Sequence, residues 1–261
     1  MEIPSKMKSF QEKIVPFLNS VHSNCQLERW GVLFAAQNIG IVLHKVKKET
    51  SVPLSSLPKN IQLVHVWEDL WAIKSAIIKS RIYSLFGLSQ RVFARKTRII
   101  KLNKPESLAF LAKNHLNEPA SGKFKYGLML DDELIAVAVF SASCPVHRGK
   151  EVYRSHQLIR FCNKNGITVV GGLSKLIKHF IKEQSPEDIM TYADLDWSNG
   201  SGYAKIGFEK IGELPPQKFS IDANSLIRNY KIDTLHTNEI NNLFTNQGSA
   251  KYLLNLKKND W

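Results

Sequence analysis

A junction with two adjacent glycines is the strongest candidate for chemistry in this sequence. An apolar stretch ends at Val170, two glycines follow, and a run with helical apolar spacing begins directly after them. The first amides of a helix have no partner within the helix, and with the positive helix terminus they favour an anion such as a pyrophosphate. Glycines at such a junction also serve close packing alone, and these residues leave both interpretations open. The candidate cofactor-binding residues are Val170, Gly171, Gly172, Leu173, Ser174 and Lys175.

Two further polar residues are candidates for proton transfer to or from an amine. A nucleophilic amine needs a base near the reacting carbonyl and a donor for the developing oxyanion. Asp194 ends a predicted strand and is either a general base or a cap for the following turn. His115 follows a predicted helix and either lines an acceptor pocket or interacts with the helix dipole. In the same way, Ser174 either binds a phosphate through its hydroxyl or caps its helix.

The segment from Leu70 to Pro105 carries nine Lys or Arg residues and no Asp or Glu. The whole chain of 261 residues has a formal net charge of +13. Such a charge favours a polyanionic partner, because Lys and Arg contacts to phosphates give strong, salt-dependent binding with little sequence specificity. A basic face that only aids solubility is the alternative. We expect DNA as the partner, bound through Lys74, Lys79, Arg81, Arg91, Arg95, Lys96 and Arg98.

The three cysteines favour a reducing compartment, because their odd number does not suit a disulfide framework. Cys144 and Cys162 could join His147 and His156 in a zinc set, but no paired CxxC or HxxxH spacing supports it, so we predict no metal site. The first residues contain no apolar segment typical of a secretory signal, and no apolar run approaches the roughly 20 residues of a membrane span. We expect a cytoplasmic protein without membrane association.

The first part of the chain predicts a small sheet and a basic helix. In residues 1–69, a helix that Pro16 should kink or end is followed by short strands. Residues 70–97 predict a helix and a linker, with Asp69 as the N-cap and Gly87 at the C-terminal end.

The element order after Arg98 predicts the main domain. It is β-α-β-β-β-α-β-α-β, which is typical of an α/β fold with a mixed sheet that is first antiparallel and then parallel. We place this domain at residues 98–222. Residues 223–261 are rich in asparagine and predict an appendage packed on it.

One long motif in this domain resembles a known family. Tyr192-Ala193-Asp194 ends a predicted strand, and Gly202-Tyr203-Ala204-Lys205-Ile206-Gly207-Phe208 follows it. This closely resembles GNAT acetyltransferases, in which a tyrosine and a Gly-Phe pair follow the strand that splays away from its neighbour. The resemblance covers the whole element order of the domain. It implies acetyl-CoA or a related acyl-CoA bound at the glycine junction, and Tyr203 as the acid that protonates the departing thiolate, although the family's loop is richer in glutamine or arginine.

A narrower resemblance rests on NHLNE at residues 114–118, QLIRFC at residues 157–162 and the GGLSK junction. These segments resemble the GNAT-like domain of phage homing-endonuclease-type proteins and, more distantly, the phage Mom proteins that modify adenine in DNA. Those relatives begin with a Vsr-like nuclease domain. A nuclease of that kind needs paired carboxylates for Mg²⁺, yet the first aspartate here is Asp69, so we interpret residues 1–69 as a degenerate, non-cleaving α/β region.

Together these patterns predict a DNA-directed transferase that moves an acyl-derived group from a coenzyme A-type donor to a base amine. A catalytically inactive DNA-binding relative of a phage homing endonuclease is the first alternative. A small-molecule or protein N-acetyltransferase is the second. The acceptor base, the group transferred and the oligomeric state are not determined by the sequence.

Overall fold

A computed structural model describes residues 10–46, 60–222, 225–230 and 243–257 of the chain. The chain divides into two compact units: the first is Met1–Ser75, Leu195–Ser198 and Pro215–Gly248, and the second is Ala76–Asp194, Asn199–Leu214 and Ser249–Trp261. Its helices are α1 (Phe10–Val21), α2 (Glu68–Leu85), α3 (Lys104–Asn114), α4 (Gly172–Gln184) and α5 (Ser201–Ala204). Among the described residues, no helix combines the length and the apolar character needed to cross a membrane.

The strands fall into four sheets. In chain order they are β1 (Gln26–Glu28), β2 (Gly31–Phe34), β3 (Ile39–His44), β4 (Gln62–Trp67), β5 (Gln90–Phe93), β6 (Arg98–Lys101), β7 (Phe124–Leu130), β8 (Glu133–Phe140), β9 (Cys144–Arg148), β10 (Glu151–Asn163), β11 (Ile167–Val170), β12 (Asp188–Asp194), β13 (Glu209–Leu214), β14 (Lys218–Ile221), β15 (Arg228–Asn229), β16 (Leu243–Thr245) and β17 (Ser249–Asn255).

The first unit contains the small predicted sheet, in the order β1-β2-β3-β4, with β3 and β4 parallel. Helix α1 runs through Pro16, so this residue does not end the helix. Pro16 is exposed, whereas Ile14 and Leu18 on the other face are fully buried. Burial of that apolar face outweighs the hydrogen bond that the proline cannot donate.

Buried polar contacts join distant parts of the first unit. The Trp67 indole donates to Asp196 Oδ2 over 2.9 Å, and Arg228 donates to both oxygens of the fully buried Asp69 over 2.6 and 3.0 Å. Asp69, predicted as a helix cap, is therefore an ion-pair partner. Such charges are stabilising only when they are paired, so Arg228 contributes its charge, and Phe219 and Phe244 their rings on Trp67, to packing within this unit.

His44 is a buried titratable group beside this network. Its ring stacks on Trp67 with centroids 4.0 Å apart, and its Nε2 lies 2.8 Å from Nδ1 of His65. Burial, with further contributions from His65 and the Arg228 cation, lowers the pKa of His44 from 6.5 to about 3. The folded unit therefore holds His44 neutral where an unfolded chain would protonate it.

We predict that the first unit loses stability as the pH falls from about 6.5 towards 3, because only unfolded His44 binds a proton in that window. His44→Phe, which keeps the ring stack but cannot titrate, should flatten this dependence. Thermal unfolding followed by tryptophan fluorescence tests it, since Trp30, Trp67, Trp71 and Trp197 all lie in the first unit. The exposed His147→Phe is the control. A pH dependence in His44→Phe equal to that of the wild type would contradict the prediction.

The second unit is built on a central sheet in the order β6-β7-β8-β10-β12-β17-β13, with β9 paired to β10. Neighbouring strands are antiparallel except β10 and β12, which are parallel. This confirms the predicted α/β fold with a mixed sheet, whereas β9 and β11 are strands that the predicted element order lacks. Alternate residues of β8 pack on opposite faces: Val137 and Val139 join Phe110 and Leu111 of the α3 side, whereas Phe140 stacks on Phe180 of α4 at 4.0 Å.

The end of the chain differs from the predicted appendage. Strand β17 lies between β12 and β13 and is paired with both along its length. Residues Ala250 and Leu254 of this strand are fully buried. The last part of the predicted appendage is therefore an interior strand of the central sheet, which no local feature of the sequence indicated.

Candidate active site

The parallel strands β10 and β12 separate after three residue pairs. The pairs are Ser155↔Asp188, His156↔Ile189 and Gln157↔Met190, and the pairing of these two described strands stops there. A register shift between Leu158 and Arg160 bends β10 at the same point, where it continues against β8. We name the opening between β10 residues 158–163 and β12 residues 191–194 the fork.

Tyr203 reaches the apex of the fork through Thr191. The Thr191 hydroxyl donates to the Leu158 carbonyl across the strands over 3.1 Å, and the Tyr203 hydroxyl is hydrogen-bonded to the Thr191 side chain. Burial raises the pKa of Tyr203 above its usual value, although the hydrogen bond and the nearby Arg81 cation act in the opposite direction. Tyr203 therefore keeps its proton at neutral pH, as an acid must.

Tyr252 holds the turn that positions Tyr203, a role that the sequence did not reveal. Its hydroxyl donates to the Asn199 carbonyl over 2.6 Å, and its ring lies 5.7 Å from that of Tyr203. Gly200 begins α5 with φ +77°, and a Cβ there would lie 2.3 Å from the Tyr252 ring. The glycine before α5 is thus required both by its backbone angle and by this close approach.

Three ionisable side chains from other elements share the fork with Tyr203. Asp194 ends β12 and is partly buried, Cys162 lies near the end of β10, and the Arg81 guanidinium of α2 interacts electrostatically with both. Burial raises the pKa of the Cys162 thiol to about 12, so it stays protonated. Burial also lowers the pKa of Arg81, and its Nε atom is buried.

Arg81, which we predict as a DNA contact, is partly buried on α2. Residues three and four positions apart share a helix face, and Ile77, Ile78 and Ile82 beside it are all buried. The basic run along the sequence does not show this, because the helix period turns Arg81 inward. Lys74 and Lys79 are partly buried, and Lys74 is a non-helical residue inside α2 (φ −132°, ψ 32°).

The glycine junction opens α4 with its first amides uncapped by any side chain. Gly171 is the N-cap with φ +77°, and a Cβ there would meet only Ala94, at 3.7 Å. Gly172 is buried, and a Cβ there would lie 3.0 Å from Val169. Gly171 therefore keeps the helix terminus accessible, whereas Gly172 permits close packing.

Lys175 is used for support rather than for an open anion site. Its ammonium donates to the Ala94 carbonyl over 2.9 Å and to the Thr97 carbonyl. This contact fixes the 3-10 turn Ala94–Lys96 against the first turn of α4. An anion at the junction would thus be bound by backbone amides and by cations of the neighbouring turn.

Strand β5 lies in the linker predicted within residues 70–97. It brings exposed cations to the glycine junction. It pairs in parallel with β11, so that Phe93 lies opposite Val170. The guanidinium of Arg95 lies 5.2 Å from the centre of the Phe93 ring. Exposed side chains follow one another along this stretch: Arg91, Phe93, Arg95, Lys96 and Arg98.

His115 lies at the C-cap of α3, where its Nδ1 is 3.1 Å from the Asn117 amide nitrogen. This position at the end of α3 suits the interaction with the helix dipole, and a role of His115 in an acceptor pocket stays a prediction. Among the described residues, no group of three or more His, Cys, Asp or Glu side chains could hold a metal ion. Cys144 and His147 are exposed on β9, whereas His156 is buried.

No family model and no curated protein matches the chain. Among solved structures, it is similar to "histone acetyltransferase HPA2 and related acetyltransferase" from Corynebacterium glutamicum, at 12% identity and TM-score 0.40 over 61% of this chain and 96% of that one. It is also similar to a GNAT family acetyltransferase from Elizabethkingia anophelis with acetyl-CoA bound, at 14% identity and TM-score 0.39 over 62% of this chain and 99% of that one. A third similar structure is a Bacillus subtilis acetyltransferase in complex with CoA, at 17% identity and TM-score 0.40 over 62% of this chain and 99% of that one. Values of this size leave the activity to be argued from the chain's own residues.

We predict that Gly200→Ala lowers the melting temperature of the second unit, because it adds a Cβ at positive φ against the Tyr252 ring. The control is Gly202→Ala two residues later, where a Cβ meets nothing within 4 Å. Circular dichroism melting of both variants measures the effect. Equal melting temperatures for the two variants would show that Tyr252 does not restrain this turn.

Proposed function

We propose that the second unit transfers an acyl group from a coenzyme A-type donor to an amine, and that the amine belongs to a DNA base. The observation that carries the proposal is the separation of β10 and β12 after Gln157 and Met190, together with the uncapped helix terminus at Gly171. Within the fork, β10 and β12 are no longer paired with each other. A thioester with an amide-containing arm and a pyrophosphate suits such a combination.

The residues of the site fit such a donor. The first amides of α4 would bind the pyrophosphate, with Arg95 and Lys96 of the adjacent turn adding positive charge. The edges of β10 and β12 within the fork would pair with the amide groups of the arm. When bound, the donor supplies an acyl group activated as a thioester.

Two side chains of the fork would move the protons of the transfer. Tyr203 holds a proton that it can donate to the departing sulfur. Asp194, at the end of β12, would accept the proton that the attacking amine loses. Donation from Tyr203 and acceptance at Asp194 conserve the proton balance of the reaction.

The choice of DNA as the acceptor is supported by charge. The formal net charge is +13, and Arg91, Arg95, Lys96 and Arg98 are exposed in one stretch of the second unit. A base amine inside a duplex is out of reach of a fork between strands, so the base would have to leave the stack. The phosphate contacts would then supply affinity, and the fork would supply the chemistry.

We predict that Gly171→Asp abolishes acetyl-CoA binding, whereas Gly171→Asn retains most of it. Both side chains tolerate the left-handed backbone of this residue and have nearly the same size, so the comparison isolates the negative charge at the helix terminus. Isothermal calorimetry with acetyl-CoA measures both. Binding by the wild type that Gly171→Asp does not weaken would place the donor elsewhere. A wild type that binds no acetyl-CoA would leave the inactive DNA-binding alternative.

We predict that the double variant Arg95→Gln, Lys96→Gln weakens DNA binding and lowers the slope of log affinity against log salt by about 2, or about 1 for each lost phosphate contact. Fluorescence anisotropy with a labelled duplex at several salt concentrations measures the slope. The control is Lys113→Gln, Lys178→Gln, which removes the same charge from two other exposed lysines. An equal change in the control would indicate a general charge effect, and no DNA binding would favour a small-molecule or protein acceptor.

A further inference from the structure

An exposed aromatic ring lies among the cations of β5. Phe93, the last residue of this strand, is 46% exposed, whereas Val92 and Ala94 on either side of it are buried. Because successive side chains of a strand point to opposite faces, Arg91 and Phe93 share the face of β5 that is open to solvent. The guanidinium of Arg95 lies 5.2 Å from the centre of the Phe93 ring. A large apolar ring therefore lies between two arginines on an open surface.

Backbone contacts hold the strand on both sides of Phe93 in place. Strand β5 pairs in parallel with β11, and Phe93 lies opposite Val170 in this pair. The ammonium of Lys175 donates to the carbonyl of Ala94, the next residue, over 2.9 Å. Neither contact involves the aromatic ring. A side chain on a backbone that is already fixed loses less conformational freedom when it binds a partner.

The charge around Phe93 distinguishes it from an ordinary exposed apolar residue, which by itself indicates no partner. Arg91, Arg95 and Lys96 are all exposed beside the ring, and no Asp or Glu occurs in the sequence from Leu70 to Pro105. Proteins that bind a single nucleic-acid strand combine cations for the phosphates with aromatic rings on which the bases stack. The residue types of this surface are those that such a strand requires.

We propose that Arg91, Phe93, Arg95 and Lys96 bind single-stranded DNA, with an unpaired base stacked on the Phe93 ring and the cations on the phosphates at either side. The inference rests on the proposed function for the choice of DNA as the acceptor, and it names the form of that DNA. A base in a duplex is stacked on its neighbours, so an exposed ring does not reach its face. A single strand offers that face without the cost of unpairing.

The position of Arg91 favours a strand over the adenine of the donor as the partner of the ring. The pyrophosphate of the donor would lie at Gly171, next to the turn that carries Arg95 and Lys96. Arg91 precedes Phe93 by two residues, which is roughly 7 Å along the strand and away from this turn. The phosphates of a nucleic-acid strand extend past the ring in both directions and can use the cations on both sides of it.

Fluorescence anisotropy on the intact chain tests the proposal with two probes, a labelled oligothymidylate of about 12 nucleotides and a duplex of the same length. The wild type should bind the single strand more tightly than the duplex. Phe93→Leu keeps an apolar side chain but removes the aromatic face, so it should weaken single-strand binding about fivefold to hundredfold. The duplex affinity and the slope of log affinity against log salt should stay unchanged, since no charge is lost.

Two further variants separate base stacking from a general effect of the substitution. Phe93→Trp keeps an aromatic face, so it should retain the single-strand affinity, and the strand should quench its added indole fluorescence relative to the wild type. Ile211→Ala shortens an exposed apolar side chain of β13 and should leave binding unchanged. Equal single-strand affinities for Phe93→Leu and the wild type would overturn the proposal. A loss of the same size for the duplex would overturn it as well.

Calorimetry with acetyl-CoA on the same variants separates this proposal from the acyl transfer. Phe93→Leu should bind acetyl-CoA as the wild type does. A loss of acetyl-CoA affinity with unchanged single-strand affinity would assign the ring to the adenine of the donor, and our assignment would be wrong. If the wild type bound the strand through Phe93 but bound no acetyl-CoA, the proposed transfer would fail and this proposal would stand. Binding of the duplex without binding of the single strand would reject it and leave DNA as the acceptor.

Discussion

The separation of β10 and β12 after three residue pairs is the constraint on which the second unit depends. A parallel pair in the middle of a sheet normally continues, because each unpaired backbone group inside a protein costs free energy. Here the bend of β10 at Leu158 and the hydrogen bond from Thr191 end the pairing in a defined way. The result is a pair of strands that separate beside ionisable groups, which is the physical basis of the proposed chemistry.

The elements that pack around the fork are far apart in the sequence, and dividing the chain into consecutive domains would separate them. Strand β17 closes the sheet beside β12 and supplies Tyr252, which holds the turn before Tyr203. Helix α2, which precedes the central sheet in the chain, supplies Arg81. The inserted segment 215–248 meanwhile belongs to the first unit, where Arg228 pairs with Asp69. Each unit is therefore completed by residues that follow or precede the other in sequence.

Charge has two different uses in this protein. The cations Arg91, Arg95, Lys96 and Arg98 are exposed and stay solvated, so they carry no burial penalty and can bind a polyanion or a pyrophosphate. The guanidinium of Arg81 is costly to bury, so it needs a negative charge such as that of Asp194 near it. One run of basic residues along the sequence thus contains both kinds: Arg81 lies on α2, whereas the exposed cations lie on β5, the following 3-10 turn and β6. The net charge alone predicts a polyanionic partner, but it does not identify which basic residues contact that partner.

Local signals in the sequence determined the helices, the glycine junction and the acid candidate. Asn103 and Glu106 cap α3, the period of α4 is helical, and the glycine before it adopts the expected left-handed angle. Tertiary structure alone decided the pairing of β5 with β11, the central place of β17 and the inward direction of Arg81. These features depend on contacts between residues far apart in the chain, whose energies come from burial and pairing that no short window of sequence contains.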